Sequence, residues 1–114
     1  MVAVTLGARG CACFFSGQYE TIPAFKVSVV DATGAGDTFH GAFIYGMLKN
    51  WGTVESARFA SAVSAIKCTA IGGRAGLPRL ATVERFLDKG EISEEHVLET
   101  ESRKKLYQKA HGLQ

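Results

Sequence analysis

Two carboxylates, Asp31 and Asp37, bracket the run Asp31-Ala32-Thr33-Gly34-Ala35-Gly36-Asp37. The β-branched stretch Val27-Ser28-Val29-Val30 leads into it and reads as a strand. Behind it, residues 38–48 (Thr-Phe-His-Gly-Ala-Phe-Ile-Tyr-Gly-Met-Leu) are apolar enough for a buried helix. A strand, a glycine turn and a helix N-terminus in that order make a site for an anion. The first N–H groups of a helix have no internal partner, and the aligned peptide dipoles place partial positive charge there. Gly34 and Gly36 let the backbone approach a ligand closely. Two carboxylates beside an anion make sense if one handles a proton and the other a cation. That combination points to phosphoryl transfer.

The chain that must position this run has 114 residues, enough for one domain with a real core and too few for two. Its net charge of +2 selects no partner, and the absence of a basic stripe or an aromatic platform argues against nucleic acid. The longest apolar runs are too short and interrupted to span a membrane, and no signal peptide is recognisable. Three cysteines, Cys11, Cys13 and Cys68, lie in apolar segments. Cys11 and Cys13 share one face of a strand, where a bridge would be strained. They read as buried, reduced thiols of a cytoplasmic protein.

The positioning elements follow in order. Val2-Ala3-Val4-Thr5-Leu6 is a nearly continuous apolar strand of the kind covered on both faces. After the turn at Gly7-Ala8-Arg9-Gly10 the chain returns as Cys11–Phe15, and Gln18–Ile22 alternates as a half-exposed edge strand closed by Pro23. Trp51-Gly52 is expected to end the first helix and Thr53 to cap a second one, Val54 to about Thr69, rich in the small residues Ala57, Ala60, Ala62 and Ala65. Residues 67–78 carry three glycines and a proline, the composition of a rigid loop able to aim carbonyls inward. Ala81–Lys89, capped by Thr82, shows an apolar face of Val83, Phe86 and Leu87. Residues 91–114 differ in kind: glutamates precede Arg103, Lys104, Lys105 and Lys109, an order that complements a helix dipole from about Ser93 to Lys109. Surface packing, a dimer contact and fraying all remain open for this segment.

Asp-Ala-Thr-Gly-Ala-Gly-Asp followed by Thr-Phe-His-Gly-Ala resembles the second signature of the ribokinase-like, or PfkB, carbohydrate kinases. The resemblance implies that Asp37 is the base that takes the acceptor's proton, and that Gly34, Ala35 and Gly36 form the hole for the transferred phosphoryl group. The upstream Thr-Leu-Gly-x-x-Gly is similar to the family's ATP contact, which makes Thr5, Gly7 and Gly10 nucleotide ligands together with Gly36. Ser61 falls where relatives carry an adenine-pocket residue, commonly Asn. By the same resemblance, Asp31, Thr33 and the carbonyls around Ala70 and Gly73 would hold a potassium ion, although Gly76 stands where some relatives use a serine hydroxyl. Mg²⁺ would accompany ATP, and the acceptor would be a sugar or related small molecule.

The implied fold is α/β: the C-terminal, ATP-binding portion of a Rossmann-like three-layer sandwich. The resemblance covers roughly residues 2 to 89, so residues 1–90 form part of the kinase domain and 91–114 an extension. Family members are well over twice this length, and Met1 falls inside a central strand of their sheet, so a fragment is expected. An unpaired sheet edge would favour a homo-oligomer. The competing reading is a truncated, inactive remnant that binds nucleotide or oligomerises. Of the other polar residues, His40 is expected to pack a helix, His96 and His111 to be exposed, and Arg9 to be solvated. Lys49, Lys67 and Arg74 are candidate phosphate partners, with Arg74 favoured by its place in the loop.

Overall fold

The computed structural model describes residues 2–110 and Gly112; the expectations for Met1 and His111 fall outside the described residues. The fold is α/β. Three strands, β1 (Val2–Thr5), β2 (Cys11–Phe15) and β3 (Gln18–Ile22), form an antiparallel sheet in the order β1-β2-β3. A single 3-10 turn at Gly7–Arg9 joins β1 to β2, with Ala3 opposite Cys13. Four helices follow among the described residues: α1 (Ala35–Leu48), α2 (Thr53–Lys67), α3 (Leu80–Lys89) and α4 (Glu94–Ala110).

The small residues of α2 explain why it is the central element. Ala57, Ala60 and Ala62 have no exposed surface, so α1, α3 and the sheet all approach this helix closely. Ile66 and Phe59 on α2, Phe39 and Ala42 on α1, Cys11, Cys13 and Ile22 on the sheet, and Val83 and Phe86 on α3 complete one core. Phe25, in the connection after β3, closes it against Phe86 with ring centroids 5.2 Å apart. The three thiols are free and buried; burial, with Cys11 alongside, pushes the Cys13 thiol up to about 11.

Several expectations are corrected. Val27–Val30 forms no strand, because no neighbouring strand is present to pair with it among the described residues; instead the Val30 and Asp31 N–H groups donate to the Cys68 carbonyl at 2.8 and 3.1 Å. β1 is not covered on both faces: it is an edge strand with Val2 and Val4 exposed. The first helix stops at Leu48, and Gly52 rather than Thr53 is the cap of α2. Thr82 is buried inside α3, whose cap is Arg79.

The C-terminal helix α4 lies against the loop that precedes α3. Arg103 donates to the Ala75 and Leu77 carbonyls at 3.2 and 2.7 Å, and Glu99 pairs with both Arg79 and Arg103. His96 is therefore buried, contrary to expectation, with Thr100 at 3.4 Å. Burial first, then the nearby Arg103 charge, lowers its pKa below the ordinary value, while Glu99 opposes the shift.

Truncating the centre of the core tests this arrangement. Ile66→Ala should cost about 2–5 kcal/mol in urea unfolding. Leu106→Ala, on the exposed face of α4, should change stability by less than about 0.5 kcal/mol. Equal effects of the two changes would contradict the core described here.

Candidate active site

The Asp31–Asp37 run is held from below by the C-terminal end of α2. Asp31 makes the first tie: its carboxylate accepts from the Thr33 N–H at 2.9 Å, the Thr33 hydroxyl at 2.6 Å and the Gly72 N–H at 2.9 Å. The Thr33 hydroxyl, the Gly72 N–H and the Thr33 N–H, in that order, hold the Asp31 carboxyl down at about 2. One side chain thereby fixes both the turn before α1 and the glycine loop after α2.

Lys67 makes the second tie. It is completely buried, and its ammonium donates to the Asp31 carbonyl at 3.2 Å and to the Thr33 carbonyl. Gly34, the N-cap of α1, follows with φ +75°, a left-handed conformation that a residue with a Cβ adopts only at a cost. The Ala35 N–H is taken by the Ala32 carbonyl at 3.1 Å, which removes one of the three donors expected in the hole. The Gly34, Gly36 and Asp37 N–H groups have no backbone acceptor among the described residues. They stand at the start of α1, with Asp37 in the first turn and exposed.

Two clefts meet at this turn. The first, of ≈ 420 Å³, is lined by Thr5, Gly7, Gly10, Gly36 and Ser61, which are all five residues expected to contact nucleotide. Its walls include Ala35, Phe39, Ser64 and Cys68. The Ser61 hydroxyl lies 3.8 Å from the Cys11 thiol, and the Ser64 hydroxyl donates to the Ala35 carbonyl at 3.2 Å. The second, a groove of ≈ 700 Å³, is lined by Gly34, Asp37, Thr38, Gly73 and Arg74, with apolar residues of α1, α2 and α3 beyond them. The turn therefore presents Gly36 to one cleft and Asp37 to the other.

Other candidates fall outside this constellation. His40 is exposed and lines neither cleft, and its ring contact is with Phe39. Arg9 lines neither, while its neighbour Ala8 does. Ala70 is buried in the loop, and Gly73 faces the groove. Lys49 lies over the Tyr45 ring at the far end of α1. Sequence reasoning passed over Ser64 and ranked Lys67 below Arg74. The available signal was helical spacing: Ser61, Ser64 and Lys67 recur every third residue, which puts them on one side of α2.

Comparison with known proteins gives the family of the chain. Residues 1–80 match the model of the pfkB family carbohydrate kinases, and the chain belongs to that family. It is 40% identical over 90 residues to a ribokinase of Lactococcus lactis, covering 79% of this chain and 30% of the relative. It is 38% identical over 96 residues to fructokinase-1 of Zea mays, covering 78% of this chain and 30% of that protein. Among solved structures it superposes on the ribokinase of Arabidopsis thaliana complexed with ribose and ATP. The TM-score there is 0.71 at 33% identity, over 75% of this chain and 28% of that one. The chain thus spans about a third of the length of the relatives it matches.

The Asp31 tie has a pH signature. Its folded pKa of about 2 lies below the ordinary 3.8, so the stabilisation is complete above the ordinary value and is lost as pH falls toward 2. Asp31→Asn should lower the melting temperature at pH 7 and flatten its decline between pH 4 and pH 2. A variant with the wild-type acid profile would show that the carboxylate does not hold the loop.

Proposed function

We propose that this chain carries the nucleotide-binding and proton-accepting part of an ATP-dependent sugar kinase. The observation that carries the reading is the division of one helix-opening turn between two clefts. All five expected nucleotide contacts line one cleft, and Asp37 lines the other. In this reading ATP lies along Thr5, Gly7, Gly10 and Ser61, with its terminal phosphate at the N-terminus of α1. The N–H groups of Gly34, Gly36 and Asp37 then receive the charge that develops on the transferred group.

Asp37 acts as the base. It accepts the proton of the acceptor hydroxyl as that oxygen bonds to the γ-phosphorus and the bond from phosphorus to the β-bridging oxygen breaks, releasing ADP. Arg74, which lines the same groove, offers a positive charge to the phosphate. No group of three or more acidic, histidine or cysteine side chains able to hold a metal occurs among the described residues. Mg²⁺ would accordingly arrive on the nucleotide phosphates, where it neutralises charge. The acceptor is a sugar or related small alcohol, in keeping with the ribokinase and fructokinase relatives.

A cytoplasmic location is proposed on the three free, buried thiols; no described helix is long and apolar enough to cross a membrane. Residues 1–90 are taken as part of the kinase domain and 91–114 as an extension docked on the loop before α3. Self-association through the exposed β1 edge belongs to the same proposal.

The alternative, a remnant that binds nucleotide without turnover, rests on the short span of the match to the relatives. The test is ATP-dependent phosphorylation over a panel of sugars, by this chain and by the longest reading frame containing it. This chain alone is expected to be inactive, since a base works only on a hydroxyl held within its reach. In the longer protein, Asp37→Asn should lower kcat by roughly two to four orders of magnitude with ATP affinity unchanged. Equal losses of rate and ATP binding would reduce Asp37 to a structural helix-end residue, and a longer protein inactive on every sugar would favour the remnant.

A further inference from the structure

A lysine with no exposed surface is costly unless its charge is met. Lys67 makes no ion pair among the described residues. Its ammonium is held by two backbone carbonyls, those of Asp31 and Thr33. Both belong to the turn that leads into Gly34 and α1. A carbonyl pair gathered around a single positive charge is how a protein holds a monovalent metal ion, and here the positive charge is the protein's own.

The resemblance noted above implies a potassium ion held by Asp31, Thr33 and the carbonyls around Ala70 and Gly73, but the Asp31 and Thr33 half of that donor set does not fit one. The Asp31 and Thr33 carbonyls are engaged by Lys67, and the Asp31 carboxylate is committed to Thr33 and Gly72. No hydroxyl fits at Gly76 either. A Cβ there would lie 2.5 Å from the Lys67 carbonyl oxygen and 3.1 Å from the Ala70 Cβ, so the position of a serine ligand is filled by the backbone of Lys67 itself.

We infer that Lys67 is a tethered monovalent cation: its ammonium takes the place of a metal ion beneath the anion site and makes that site independent of potassium. Two effects follow from the geometry. The C=O and N–H of one trans peptide point in opposite directions, so tying the Thr33 carbonyl to Lys67 aims the Gly34 N–H away from the lysine, toward the open end of the turn. The ammonium also adds a fixed positive charge one peptide from that N–H, in a water-excluded position where it acts strongly on a bound phosphate. Lys67 is thus a positioning residue for the Gly34–Asp37 turn; the inference rests on that turn being an anion site.

Ion replacement on the whole chain tests this. At constant ionic strength, K⁺, Na⁺, Li⁺ and tetramethylammonium should give the wild-type chain the same melting temperature, and the same affinity for the Mg²⁺ complex of a non-hydrolysable ATP analogue within twofold. Lys67→Ala should bind the analogue roughly tenfold more weakly, and K⁺ or NH₄⁺, but not tetramethylammonium, should restore affinity and melting temperature saturably. Lys67→Gln, which keeps a donor without the charge, should fold and show the same loss. A saturable rise in wild-type melting temperature with K⁺ would overturn the inference, as would full analogue affinity in Lys67→Gln. If Lys67→Ala does not fold, the wild-type ion series and Lys67→Gln still decide. A wild-type chain that binds no analogue in any ion would instead defeat the nucleotide reading, and the melting temperatures would still report on the cation.

Discussion

The candidate site hangs on one junction, where residues 30–33 are bonded to the end of α2. Two N–H groups of the turn reach the Cys68 carbonyl, two of its carbonyls hold the Lys67 ammonium, and the Asp31 carboxylate closes the loop by accepting from Gly72. The four residues carry almost no regular structure, so these polar contacts are what define their shape. Because α2 is also the most buried helix, the junction is anchored to the centre of the core. A helix N-terminus binds an anion only if its N–H groups are aimed and unpaired, and the junction supplies the aim.

The same arrangement explains a sequence that looks extravagant in charge. Asp31, Asp37 and Lys67 lie within one small region, yet each has a different solution to its charge. Asp31 is satisfied by three donors and is a structural carboxylate, held in its charged form at any ordinary pH. Lys67 is satisfied by carbonyls. Asp37 alone stands exposed, in the first turn of α1. Two carboxylates of one motif thus stand in different environments, one fastened by three donors and one open to solvent.

The seven-residue run was legible because glycine spacing and a helix-start pattern are local properties, written in consecutive residues. The hairpin strands β1 to β3 and the apolar face of α3 were legible for the same reason. The strand expected at Val27–Val30 was not to be had from its β-branched residues, since a strand exists only where a partner offers a ladder, and the partner here is a single carbonyl, that of Cys68. His96 was expected to be exposed because α4 is so polar; the contacts of Arg103 and Glu99 with the loop before α3, which bury it, are long-range. The weight of Lys67 was hidden for a related reason. A lysine at the end of a helix ordinarily reaches solvent, and only the fold shows that this one turns inward to the carbonyls of a turn more than thirty residues earlier.

The central claim, that the turn opening α1 receives the phosphates of a nucleotide lying along β1 and α2, is tested most directly by amide resonances of the ¹⁵N-labelled chain. Adding the Mg²⁺ complex of a non-hydrolysable ATP analogue should shift Gly34, Gly36 and Asp37 together with Gly7, Gly10 and Ser61, all saturating at one concentration. Shifts confined to other surfaces, or none at saturating analogue, would contradict it.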